Sequence, residues 1–279
     1  MPTMIELREP KFDKVIPVFE PMQYHLAVRA IIDGYIPGRI WADDINNPET
    51  ALIWDTRYSY YLSGYEDNRE FNRALDDLFT KIIAPDAVKR NIKMYFVICP
   101  SHWERKILNN EVLIDRFPKR MPRCYYAFKQ KVITDWEDRI PSGFALKHVD
   151  ENLLKSNLDN IDTLIEEIED IIASVDEFIR RGFESYCLVS NDKAAASWCL
   201  SFMYGSSCEF TVQTVEEYQQ RGFGTITTAA LIDSCLSSNH GSIGWHCGQE
   251  NVPSMKLAEK VGFERTDHNY SWIYGSLIG

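Results

Sequence analysis

The sequence predicts an α/β protein of the α+β type, built as two halves, each a mixed, mostly antiparallel sheet flanked by helices. Two observations carry that expectation. Runs that alternate apolar and polar residues, as strands do, are interleaved with runs whose apolar residues recur three and four apart, as in amphipathic helices. The same order of runs then appears twice along 279 residues, a length that suits one large domain or two of about 100–150 residues. With 45% hydrophobic, 13% aromatic and 25% charged residues, the composition is that of a folded chain with a sizeable core.

In the first half, ALIWD (51–55) and YSYYLSG (58–64) flank a turn at Thr56-Arg57. Phe71 to Ile83 is helix-like, MYFVIC (94–99) a strand, HWERKIL (102–108) a short helix and CYYAFK (124–129) a last strand. The stretch DWEDRIPSGFALKHVDENLL (135–154) mixes charge with Pro141 and Gly143 and reads as a linker into the first strand of a new domain. The boundary is therefore expected near Asp138, giving domains 1–138 and 139–279.

The second half begins with Ile161 to Arg181, where Ile161, Leu164, Ile165, Ile168, Ile171 and Ile172 are separated by acidic residues. One amphipathic helix closed by Gly182 is expected. YCLVS (186–190), AAASWCLSF (194–202) and SSCEFTVQT (206–214) are three antiparallel strands, with turns at Asn191-Asp192-Lys193 and Gly205-Ser206. A helix from about Phe223 to Ser238 stops at Asn239-His240-Gly241, SIGWHC (242–247) is a strand, and Asn251 caps a helix running to Lys260 that Gly262 ends. FERTD (263–267) and YSWIYG (270–275) make a final strand pair. Set beside the first half, this order matches block for block, the pattern of a degenerate internal duplication.

Thirty basic against 41 acidic residues give a net charge of -11, which repels nucleic-acid phosphates and anionic membrane surfaces. No nucleic acid and no membrane are expected as partners, and a cationic or amine-bearing one fits better. No run approaches the ~20 apolar residues of a membrane span, and the opening MPTMIELREPKFDKVI lacks the features of a signal peptide. A cytoplasmic location is expected. The seven cysteines are scattered and never in Cys-x-x-Cys spacing, so free, buried, reduced thiols and no metal are expected. The six histidines are dispersed, and each is expected to be an ordinary surface or core residue.

The stretch VEEYQQRGFGTITTAALI (215–232) places Arg221, Gly222 and Gly224 between a strand and a helix. Successive backbone N–H groups at a helix N-terminus attract an anion, and glycine lets the backbone approach a ligand without a Cβ in the way. Gln219 and Arg221 add side-chain donors. A Walker loop is excluded because Thr225-Ile226 follows Gly224, and a dinucleotide fingerprint because Thr227 stands where a small residue is needed and the strands before it are antiparallel. Along SSCEFTVQT, alternation puts Cys208, Phe210 and Val212 on one face and Glu209, Thr211 and Gln213 on the other. A polar face on a central strand calls for a partner.

Gln219-x-x-Gly222-x-Gly224 at a strand end, followed by a helix, a strand and Asn251-x-x-Ser254-x-x-Leu257-x-x-x-Val261-Gly262-Phe263, resembles the GNAT superfamily of acyl-CoA-dependent N-acetyltransferases. Trp245, Cys247, Asn251 and Ser254, with the earlier Ser174, Phe178 and Gly182, look more narrowly like the zwittermicin A acetyltransferase group. The resemblance implies two GNAT-like halves, acetyl-CoA as co-substrate and a primary amine of a small molecule as acceptor. It implies that Gln219 and the loop Gln220, Arg221, Gly222, Phe223 and Gly224 hold the cofactor's pyrophosphate. The strand before the loop is then expected to splay from its neighbour, with Val212, Gln213 and Thr214 along the pantetheine arm, and Asn251 and Ser254 to meet the cofactor from the later helix.

Glu209 is the candidate base, acting through water, beside the plain alternative of a carboxylate paired with a nearby cation. The superfamily's usual acid is a tyrosine directly after the leucine of the second motif, and here that position is Ala258. Either the thiolate leaves without that acid, or Ser254, Tyr270, Tyr274 or a water supplies the proton, or the chain is a catalytically silent acyl-CoA-binding sensor. In the first half the position of the glycine loop reads SGYEDNREF (63–71), with one glycine and surplus negative charge. That half is expected to be a degenerate GNAT-like domain without a cofactor loop, its Tyr58, Tyr60, Tyr61 and Tyr65 available to line an acceptor site. The assembly is expected to be a monomer or a homodimer.

Overall fold

The computed structural model describes residues 4–113, 118–191 and 193–277, so Asp192 of the expected turn lies outside the described residues. In chain order the elements are β1 (Ile5–Glu6), α1 (Leu26–Ile32), β2 (Arg39–Ala42), β3 (Thr50–Trp54), β4 (Ser59–Gly64), α2 (Arg69–Leu78), α3 (Ala84–Lys89), β5 (Met94–Cys99), α4 (Ser101–Leu108) and β6 (Lys119–Phe128). They continue with β7 (Phe144–His148), α5 (Glu151–Leu154), α6 (Ile161–Ile171), α7 (Val175–Arg181), β8 (Tyr186–Ser190), β9 (Ala194–Tyr204), β10 (Ser207–Thr214), α8 (Phe223–Ser237), β11 (Ser242–Gly248), α9 (Val252–Lys260) and β12 (Phe263–Ser276).

Two compact units result, 1–123 with 268–279 and 124–267. The division falls before Asp138, between Arg123 and Cys124, and the pairing of Ser271–Ser276 of β12 antiparallel with Met94–Cys99 of β5 returns the end of the chain to the first unit. The stretch expected to be a linker is held inside the second unit, where Trp136 Nε1 donates to Asp233 Oδ2 of α8 at 3.0 Å.

In the first unit β1, β2, β3 and β4 pair antiparallel in sequence, and β4 then pairs parallel with β5 after the helical crossover. Its core is rich in aromatic side chains, with Trp54, Tyr60, Phe79, Tyr95 and Trp103 buried together. Tyr60 stacks on Trp54 at 5.7 Å and is fully buried, whereas Tyr65 is exposed. Of the four tyrosines noted above, Tyr60 therefore belongs to the core and not to a ligand surface.

The second unit repeats the scheme. β7, β8, β9 and β10 pair antiparallel, and β10 pairs parallel with β11 after the α8 crossover. α8 buries ten of its residues, spread along its length from Phe223 to Cys235. The duplicated order of an antiparallel pair, a crossover helix and a parallel return is thus present in both units.

Three elements depart from the sequence reading. The helix over 161–181 is broken: Ile172 is extended and Ser174 caps α7 by accepting from Glu177 N at 3.2 Å. Periodicity hid the break because Ile172 stays buried through it. The expected final strand pair is one continuous strand, β12, which runs unbroken from Phe263 to Ser276. The helix after Asn68 continues past Leu78 through a π turn at Phe79–Ile83 into α3.

All seven cysteines are buried and free. Burial pushes the Cys187 thiol up to about 12 and raises Cys99 and Cys199 further. Because the thiolate is the reactive form, the native protein at neutral pH should leave an aromatic disulfide reagent colourless, and the same protein in denaturant should titrate seven thiols. Fast reaction of any thiol in the native state would contradict this packing.

Candidate active site

The parallel pairing of β10 with β11 runs from Ser207 opposite Ser242 to Phe210 opposite Trp245 and then stops. β10 continues to Thr214, still paired with β9, and β11 continues to Gly248. From Thr211 onward β10 therefore presents backbone groups on its β11 side to an opening between two strands, the geometry by which an extended ligand adds as a strand. Val212, Gln213 and Thr214 lie along that opening. Thr214 is fixed by Ser197, whose hydroxyl lies 2.8 Å from Thr214 Oγ1 and donates to Gln213 O at 2.9 Å.

The glycine loop closes the end of the fork. Gln219 Nε2 donates to Thr214 O at 3.1 Å, tying the loop to the strand it leaves, so that one of the donors expected for a ligand is used internally. Gln220 and Gly222 take positive φ, 58° and 80°, which aims successive N–H groups at one concave side. The helical ladder of α8 begins with Thr225 N and Ile226 N bonding to Gly222 O. The amides of Gly222, Phe223 and Gly224 precede it, and helix geometry leaves them pointing out of the N-terminus. A Cβ on Gly222 would meet nothing within 4 Å, so the loop faces open space there. At Gly224 a Cβ would lie 3.1 Å from Leu257 Cδ2 and 3.6 Å from Val212 Cγ1, so this glycine lets the start of α8 lie against β10 and α9.

Phe223 anchors the loop from below in a cluster with Leu188, Ala196 and Ile226. Arg221 stands on the outer side, its guanidinium 4.8 Å from the Phe223 ring centre and 5.2 Å from that of Phe144. Among the described residues it makes no ion pair. A cation held by rings beside a helix N-terminus is an uncommon concentration of positive potential in so acidic a chain.

α9 begins beyond the other tine. Asn251 Oδ1 accepts from Ser254 N at 3.1 Å, the helix cap read from the sequence. Ser254 Oγ accepts from Trp245 Nε1 at 3.0 Å, which leaves its own O–H as a donor. Ala258, at the position of the superfamily's tyrosine, is fully buried. Tyr270 and Tyr274 belong to the first unit, where Tyr270 meets His25 edge-on and Tyr274 lies by Phe96.

Glu209 projects on the opposite face of the sheet from Cys208 and Phe210, as alternation requires, and it is only partly buried. One of its partners is His246, whose Nε2 lies 3.2 Å from Glu209 Oε1. Trp245 and His246 are adjacent on β11 and so point to opposite faces. Ser254 is thereby reached from one side of the fork and Glu209 from the other. Sequence reasoning missed His246 and the Tyr125 ring that lies tilted beside it, because only strand pairing brings them together.

The corresponding position in the first unit is built differently. Pairing of β4 with β5 likewise stops at Tyr61 opposite Ile98, but Gly64 O is taken by Trp103 Nε1 at 2.9 Å and the N-terminus of α2 is capped by Asn68, which accepts from Phe71 N at 3.1 Å. Glu66, Asp67 and Glu70 surround it, with Asp67 paired to Lys106.

The second unit thus has two parallel strands that part into a fork, closed by a glycine loop at a helix N-terminus. The GNAT acetyltransferase family model matches residues 16–273, and the chain belongs to that family. It is 25% identical, over 98% of its length and 99% of the relative's, to the uncharacterized N-acetyltransferase YdfB of Bacillus subtilis (strain 168). Its fold is similar to a GCN5-related N-acetyltransferase-like protein from Streptococcus suis 89/1591, with TM-score 0.68, 20% identity and coverage of 95% and 98% of the two chains. It is also similar to a tandem GNAT protein from the clavulanic acid biosynthesis pathway, with TM-score 0.58, 10% identity and coverage of 99% and 98%. Among the described residues no group of side chains is arranged to hold a metal, and no helix is long and apolar enough to cross a membrane.

Proposed function

We propose that the protein is an acetyl-CoA-dependent N-acetyltransferase that acetylates a primary amine of a small molecule by direct attack, in the cytoplasm. The observation that carries this reading is the fork of β10 and β11 ending on the N-terminus of α8 at Gly222, Phe223 and Gly224, whose amides precede the first helical hydrogen bonds. In it the pyrophosphate lies on the loop from Gln220 to Gly224 with Arg221 beside it, and the pantetheine arm pairs along Val212, Gln213 and Thr214. Asn251 and Ser254 face the cofactor from α9. Glu209 takes the amine proton, and the Ser254 hydroxyl is placed to meet the departing sulfur. The residues quoted from 174–182 and 245–254 favour the zwittermicin A acetyltransferase group within the family. The first unit contributes no cofactor loop, since an acidic, internally capped helix start opposes a pyrophosphate.

A second reading is favoured by one observation: buried Ala258 removes the usual acid, as expected of a silent acyl-CoA sensor. Incubation with acetyl-CoA and a broad panel of primary amines separates the two. The enzyme should release thiol in step with an acetylated amine seen by mass spectrometry. Tight acetyl-CoA binding with no thiol release above background across the panel would leave the sensor.

A further inference from the structure

Three neighbouring strands, β6, β11 and β10, each place one side chain of the second unit on the same face at the base of the fork, where its two strands begin to part. They are Tyr125, His246 and Glu209. His246 Nε2 lies 3.2 Å from Glu209 Oε1, and the two side chains are 13% and 22% exposed. The Tyr125 and His246 ring centres are 4.7 Å apart with a 38° tilt. The Tyr125 ring lies across β11 at Gly244, where a Cβ would come within 2.8 Å of both Cε2 and Oη. Glycine at that position is what lets the ring lie there, and Gly244 is the residue paired with Glu209 in the parallel register.

We infer that His246 is a positioning residue for acetyl transfer: its Nε2–H holds one oxygen of Glu209 while Tyr125 holds the imidazole. The inference rests on the reading of Glu209 as the base. A glutamate side chain has three rotatable bonds, and without a fixed donor it samples several rotamers. A base acts only within hydrogen-bond reach of the proton it removes, so fixing Oε1 fixes where Oε2 can meet an amine. The amine nitrogen forms the new N–C bond, the C–S electron pair leaves on the coenzyme's sulfur, and the amine proton passes to Glu209. Burial first, then the Glu209 charge, pushes the Tyr125 phenol well up. The phenol therefore stays protonated and puts no second negative charge beside the carboxylate. The titratable groups facing the imidazole include Glu209 from β10 and Tyr125 from β6.

Long-range proton–nitrogen NMR spectra of the full chain with labelled histidines test the contact without any acceptor, with H246Q identifying the resonance. Nε2 of His246 should bear a hydrogen, and its resonance should move in E209Q while the other histidines stay in place. A bare Nε2, or a resonance indifferent to E209Q, would overturn the inference. In thioester turnover with the amine panel, H246L should lower kcat roughly tenfold or more, with the KM for acetyl-CoA nearly unchanged. H246Q keeps an N–H donor and should recover most of that loss. Equal losses in both variants, or a raised KM with kcat intact, would make His246 merely structural. A wild-type chain that fails to bind acetyl-CoA removes the functional reading instead, and leaves the spectroscopic test of the pair to stand or fall by itself.

Discussion

Glu209→Gln should lower kcat for amine acetylation by about 10²–10⁴-fold, the range that a positioned general base supplies, and should leave acetyl-CoA binding nearly unchanged. Glutamine keeps the shape and can still bond His246, so the fold and the cofactor fork, on the other side of Phe210, are preserved. What is lost is the proton acceptor that the proposed mechanism assigns to that face of β10. Steady-state kinetics with the best amine of the panel checks this. A loss below about tenfold would take Glu209 out of the proton path and leave it a carboxylate paired with His246 for structural reasons alone.

Gly262→Ala should be the most destabilising of the glycine substitutions in the second unit. Gly262 sits at φ +102°, and a Cβ there would stand 1.9 Å from Gln130 O, a backbone atom that no side-chain rotation can move. The same glycine's carbonyl accepts from Lys129 N at 3.0 Å, so the two segments are locked face to face. The cost should be about 3–5 kcal/mol, typical of the most damaging single substitutions, and urea unfolding reads it as a lowered midpoint. Gly241→Ala is the control: a Cβ there meets nothing within 4 Å, and its midpoint should hardly move. Equal midpoints for the two variants would mean that the crossing at Gln130 is looser than described.

The Gly-Phe pair that carries the family resemblance is thus a packing requirement as much as a signature. That illustrates what the sequence made legible. Turns, caps and strand alternation are local, and residues such as Gly182, Asn251 and Gly222 state their roles within a few positions of themselves. The glycine loop, the cap at Asn251 and the two faces of β10 could all be read directly. The rest depended on distant pairing. The chain's last strand returns to β5, so no composition shift near Asp138 marks the division between the units. The loss of helix at Ile172 is invisible to periodicity because that side chain remains buried. His246 and Glu209 are 37 residues apart, and Tyr125 is farther still. Their meeting is set by the register of β11 between its neighbours, which nothing in either residue's local sequence reports.

Ala258 stands, buried, where the resemblance places the family's tyrosine. With alanine there, the hydroxyl that α9 itself carries is that of Ser254, which accepts from the Trp245 indole. The duplicated first unit keeps the fork's strand order but has Glu66, Asp67 and the capping Asn68 where the second has its glycine loop, so charge and capping separate the two loops.

The central claim is that the loop at Gly222 and Gly224 holds the pyrophosphate of an acyl-CoA, and calorimetric titration of acetyl-CoA into the full chain tests it most directly. Wild type should bind one equivalent. Gly222→Val forces a β-branched residue into a left-handed conformation that costs an L-residue about 1–2 kcal/mol and puts a side chain into the open cradle. Gly224→Val drives the start of α8 off Val212 and Leu257. Each should weaken binding by roughly tenfold or more. Two equivalents per chain, no binding to wild type, or affinity undiminished in both variants would contradict the account.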